Sequence, residues 1–216
     1  GGGALLLDAC WSALGWTHDE LCMKVDFMPL FRELVAPHAA TSRLLCRRAV
    51  WLVGMWLREV HVRDLPECYA FVAGVISDVD DVVVRLAAIE AAHKLVIDMH
   101  VQVDAFAQHI DTILGGCLVV LRDSTSLDVR LPALDAVARI VAALGDRCVT
   151  YVEHIITLLG SLWQDAQRDD DQRGGSGSSG DDAGARSLTC GAVLRTFGTL
   201  ISDSGAGEEL LQQCPD

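Results

Sequence analysis

The stretch "VRLAAIEAAHKLV" (Val84–Val96) reads almost as a translation of "VRLPALDAVARIV" (Val129–Val141). The offset is 45 residues throughout, and six of the 13 aligned positions are identical. Ile89/Leu134, Glu90/Asp135, Lys94/Arg139 and Leu95/Ile140 are conservative exchanges, so the chain writes one element twice. Leu86, Ile89 and Val96 recur at helical spacing, and Leu131, Leu134 and Val141 repeat that stripe. Asp80 and Asp81 precede the first copy, and Thr125 and Ser126 precede the second. All four are residue types whose side-chain oxygens accept the orphan N–H groups of a first helical turn. Pro132 stands where the first copy has Ala87, early enough in the helix for a missing N–H to be expected to do little harm.

Outward from this pair the same grammar continues. Strict period-two alternation is almost absent. Paired helices are expected at 27–36 with 42–60, 65–77 with 81–97, 103–122 with 126–144, and 149–167 with 185–202. An unpartnered second helix is expected over 4–14. Near the chain end, Cys190, Val193, Leu194, Phe197, Leu200 and Ile201 form one apolar stripe. Arg47, Arg85 and Arg130 sit near the starts of successive second helices, 38 and 45 residues apart. Two helices per unit of about 40 to 47 residues is the period of HEAT and armadillo arrays. The expected fold is therefore all-α, an α-α superhelix (HEAT/armadillo-type solenoid) of about four and a half hairpins. Repetition has a physical cause: one hairpin cannot cover its own apolar surface, and stacking buries each against the next.

Composition agrees with packed helices. The chain has 216 residues, 51% hydrophobic but only 6% aromatic, enough for a sizeable core. Its formal net charge of −13 disfavours a nucleic-acid partner, since 17 Lys and Arg scattered among 30 acids build no basic face. Eight cysteines, widely spaced and mostly in apolar runs, read as reduced core thiols of an intracellular protein. No apolar run reaches the roughly 18 to 20 residues of a membrane helix, and no signal peptide opens the chain, so no membrane insertion is expected. Starting Gly-Gly-Gly without Met, residues 1–216 are expected to be a single helical-repeat segment of a larger protein.

Within the last hairpin lies "QRDDDQRGGSGSSGDDAGAR" (Gln167–Arg186), whose composition buries too little to order itself. It is expected as a disordered acidic Gly/Ser-rich insertion at 167–186. Asp169, Asp170, Asp171, Asp181 and Asp182 make it either a lure for basic ligands or an ordinary solvated loop.

Catalytic and metal signals are weak. Glu90-x-x-His93 has the spacing of half a carboxylate-bridged di-iron site, but no second copy occurs and Ala138 replaces His93 in the repeat. A structural histidine is the plainer reading. There is no nucleophile elbow, no phosphate-cradling loop and no His-Glu-x-x-His. No enzyme activity, catalytic residue, metal or cofactor is expected. Trp11, Trp16, Trp51 and Trp56 read as inter-helix packing or, alternatively, as a surface slot for Phe-Gly peptides. Asp78, Asp80 and Asp81 are the candidate protein-binding residues, with helix capping and solvated turns as the competing reading.

"RRAVWLVGMWL" (Arg47–Leu57) resembles the Arg-Arg-x-x-Trp-Leu-x-Gly-x-Trp helix midway through the importin-11 branch of the importin-β (karyopherin-β) family. "KVDF" (Lys24–Phe27), "DVVVR" (Asp81–Arg85) and "YVEHIITLLGSLW" (Tyr151–Trp163) resemble its flanking elements, in the same order. The likeness runs from about Leu5 to Ile201 and omits the Gly/Ser insertion. It implies a central HEAT-repeat segment of a Ran-dependent nuclear transport receptor, a monomer working in the cytoplasm, nucleus and nuclear pore that binds protein cargo and Phe-Gly nucleoporins. Ran-GTP would be bound mainly through repeats outside this fragment. Arg47, Arg48, Trp51, Leu52, Gly54 and Trp56 then serve architecture. Another HEAT-repeat scaffold, such as a phosphatase or coat-type subunit, is the alternative.

Overall fold

In a computed structural model, residues 2–97, 103–173 and 180–203 are described, and every regular element among them is helical. Packing divides the chain into two compact units, Gly1–Gly116 and Cys117–Asp216, where the sequence reading treats it as one segment.

The first unit opens with α1 (Gly2–Trp16) and the short α2 (His18–Leu21). Next come α3 (Phe27–Leu30), a wide π-helical turn at Phe31–Val35 and α4 (Ala36–Ala39), which run on as one rod. Asp26 caps the start of that rod, its carboxylate accepting from the Met28 N–H at 3.1 Å. Ser42 caps α5 (Arg43–Trp56) in the same way, through the Leu45 N–H at 3.2 Å. α6 (Leu65–Asp78), α7 (Val82–Ile97) and α8 (Val103–Ala107) follow, and α9 (Ile110–Asp123) carries the unit boundary. α5 packs against α1 on one flank and α7 on the other, while α4 backs α5 and α6 backs α7. Second helices thus stack on second helices, each with its first helix outside, as in HEAT-like repeats.

Aromatic side chains tie the layers of this unit together. Phe27 stacks on Trp56 with centroids 5.4 Å apart, and Phe31 meets Phe27 at 5.9 Å and Phe71 at 5.2 Å. Trp56, Phe27 and Phe31 are fully buried, and burying such a ring stabilises by about 1.5–3 kcal/mol each.

The second unit holds α10 (Leu127–Leu144), α11 (Val149–Arg173) and α12 (Gly180–Asp203). α12 packs on both α10 and α11, repeating the arrangement of the first unit. The 45-residue register seen in sequence reappears as burial. Ala88, Ile89, Ala92 and Leu95 are buried in α7, and their counterparts Ala133, Leu134, Val137 and Ile140 are buried in α10.

Four local expectations change. Ser126 occupies the N-cap of α10, but its hydroxyl accepts no cap bond; its own N–H donates to the Ser124 hydroxyl at 3.2 Å instead. Pro132, expected to do little harm early in the helix, lies inside α10 and removes a backbone donor that the helix would use. Leu194 leaves the apolar stripe of α12 and is 59% exposed. Helical backbone reaches Arg173 on one side and resumes at Gly180 on the other, further into the 167–186 segment than composition suggests. Gln167–Arg173 contains no Gly or Pro, so nothing in that stretch stops a helix already running. Residues 174–179 lie outside the described residues, as do the side chains of Asp169, Asp170, Asp171, Asp181 and Asp182.

Candidate functional site

The three acids singled out in sequence meet at the α6–α7 turn with different fates. Asp78 is the exposed last residue of α6. Asp80 is fully solvated, 3.8 Å from the Arg85 guanidinium. Asp81 is committed: its carboxylate accepts from the N–H groups of Val83 at 3.0 Å and Val84 at 3.2 Å. Its second oxygen accepts from Arg43 of α5, also at 3.2 Å. The Val84 N–H, more than the Arg43 charge, holds the Asp81 carboxyl below the usual carboxylate range. Asp81 is therefore a helix cap that also ties α7 to α5, and Asp78 and Asp80 are the acids this turn offers to solvent.

The tryptophans separate as sharply. Trp11 and Trp56 are core residues, at 2% and 0% exposure. Trp16 is 76% exposed, and its ring lies 5.7 Å from that of half-buried Trp51. Trp51 is held from both sides. Gly15 of α1 lies against its ring so closely that a Cβ there would collide with it. The Arg48 guanidinium sits 4.9 Å over the ring and donates to Asp8 of α1 at 2.8 Å. This cation–π contact plus partly buried ion pair fixes α1 on α5 through the motif that carries the family resemblance. Gly54 of the same motif lets α7 approach, since a Cβ there would stand 3.3 Å from Lys94. Arg47 stays exposed.

Cysteine chemistry is quiet. Burial pushes the Cys68, Cys117 and Cys148 thiols up to about 12, so they are protonated at neutral pH and unreactive. Cys46 is raised by the same cause, Cys10 is exposed, and no disulfide joins the described cysteines. Among the described residues no group of three or more His, Cys, Asp or Glu side chains is placed to hold a metal ion, and no helix is long and apolar enough to cross a membrane.

Sequence reasoning missed one feature, a groove between α10 and α12 of about 310 Å3. α10 contributes Leu131, Pro132, Asp135 and Ala138 to it. α12 contributes Leu188, Ala192, Arg195 and Thr196. The available signal was the His93-to-Ala138 exchange between the repeat copies, which trims a side chain from this face.

No protein-family model matches the chain, and no solved structure does. A stretch of 129 residues, 57% of the chain, is 29% identical to importin-11 of Mus musculus and 28% identical to importin-11 of Homo sapiens. That stretch spans 13% of the length of each relative. The likeness is distant, and at this identity and coverage it suggests the importin-β family at most.

Proposed function

We propose that this chain is a scaffold segment of a nuclear transport receptor of the importin-11 kind, binding protein cargo and passing through nuclear pores under control of Ran-GTP. The observation that carries this reading is the 129-residue similarity to two importin-11 proteins. The stacked second helices support it, because a helical-repeat surface is long and made to be covered by other proteins. The reading is non-enzymatic and needs no cofactor. The working form is a monomer moving between cytoplasm and nucleus, and Ran-GTP engages repeats other than these.

Its mechanism rests on linkage. Each repeat touches mainly its neighbours, so small rotations between hairpins add up along an array. If cargo and Ran-GTP favour different rotations, each lowers the other's affinity by the same factor. The test uses the full-length protein, with cargo captured from cytosol in the presence and absence of Ran-GTP and with beads carrying Phe-Gly nucleoporin. Release of cargo by Ran-GTP together with retention on the beads is expected. Cargo binding indifferent to Ran-GTP and no retention would overturn the transport reading and favour a scaffold of the phosphatase or coat type.

A further inference from the structure

We infer that α9 is built to bend at Gly115–Gly116, so that the two halves of this helix turn as separate pieces about that point. The inference stands on one helix and does not depend on the transport reading.

Two independent observations fall on the same place. The boundary between the compact units lies between Gly116 and Cys117. In sequence, that boundary directly follows a tandem glycine in the middle of Ile110–Asp123, and no residue but proline holds a helix interior less firmly. The two glycines have different reasons to be there. Neither serves a left-handed backbone, since Gly145 is the one glycine with positive φ among the described residues. Gly116 is required by close approach, because a Cβ there would collide with the Ile76 side chain of α6. Gly115 has no such neighbour: a Cβ there would meet nothing within 4 Å among the described residues. Packing leaves room for alanine at 115, and the residue present is the one that loosens the backbone.

An apolar stripe keeps the pair from ending the helix. Ile110, Ile113 and Leu114 are buried before it, and Cys117, Val120 and Leu121 after it, at helical spacing. Each half is therefore held by its own buried side chains, while the link between them carries no side chain at all. With no Cβ at 116, the bare backbone of α9 rests against Ile76, which serves as the fulcrum. Two anchored pieces joined through a glycine pair are the layout at which helices kink and hinges form.

The test is NMR on the 216-residue chain. In a weakly aligning medium, backbone dipolar couplings at 111–114 and at 117–122 are expected to require different alignment amplitudes, as pieces that turn independently do. Amides 117–120, whose helical bonds cross the pair, are expected to exchange with solvent faster than amides 137–140 inside α10. Gly115→Ala, which packing admits, should bring the two amplitudes together and slow exchange at 117–120 by about fivefold, the difference between glycine and alanine in a helix interior. Gly160→Ala in α11 also meets no neighbour and adds the same helix propensity elsewhere, so it should leave α9 as it was. A single amplitude fitting all of α9 in the unaltered chain would overturn the proposal. So would two amplitudes that persist in Gly115→Ala, or that merge in Gly160→Ala. Uniformly fast exchange from 110 to 123 would overturn it as well, by showing a helix that opens along its whole length instead of bending at one point.

Discussion

Gly15 decides how near α1 comes to α5, because the Trp51 ring occupies the place a side chain would need. Gly15→Ala must push the indole away from the position where Arg48 covers it. A loss of about 1–3 kcal/mol is expected, read as a lower denaturation midpoint, with blue-shifted or quenched Trp fluorescence reporting the moved ring. Asp64 and Asp81 set the acid response. The hydrogen bond from Arg32 holds the Asp64 carboxyl low, as the Val84 N–H does for Asp81. Groups depressed in the folded chain contribute stability that is complete above the unfolded value of about 3.9 and fades as pH falls through the folded value. Melting temperature should therefore drop as pH is lowered from about 4, and Asp64→Asn with Asp81→Asn should start lower at pH 7 and lose less over that window. Asp81 was legible as a cap from its place before an apolar run. The identity of the exposed tryptophan was not, because Trp11 and Trp16 share one helix and only packing against α5 tells them apart.

At the scale of elements, the copied helix explains why so much was readable. A stripe that must face two neighbours is written densely in the sequence, and the same offsets buried in α7 are buried in α10. What periodicity hides is irregularity within a helix. Pro132 is the instructive case: its early place promised little harm, yet it lies inside α10, where it forfeits a backbone hydrogen bond. Pro132→Ala should raise stability by about 1–3 kcal/mol, seen as a higher midpoint in urea with unchanged slope. The groove was illegible for a related reason. It depends on what two helices leave unfilled, and a single-helix pattern records only what is filled. The helix ends at 173 and 180 fall inside the segment that composition set apart, where glycine and serine dominate the middle more than the flanks.

At the scale of the whole molecule, two units with separate cores share one design and one excess of negative charge. That charge makes a firm expectation: at about 0.15 M salt the chain should neither shift duplex DNA in a gel nor be retained on heparin, and retention would mean that a basic face had been overlooked. Fold class was legible at this scale because repeats announce themselves by period. The division into two units falls inside α9, directly after the Gly115-Gly116 pair, a weak point that helical periodicity passes over because the helix runs on through it.

The π-helical turn at Phe31–Val35 has its own consequence for how such a chain changes over generations. A turn wound with i to i+5 bonds holds one residue more than the α-helical turns beside it. Losing one residue there would tighten the coil to ordinary pitch and swivel everything upstream by about a quarter of a revolution or slightly more. Here a single codon gained or lost re-aims a helix without breaking it, so this spot is a natural adjustment screw between one hairpin and the next.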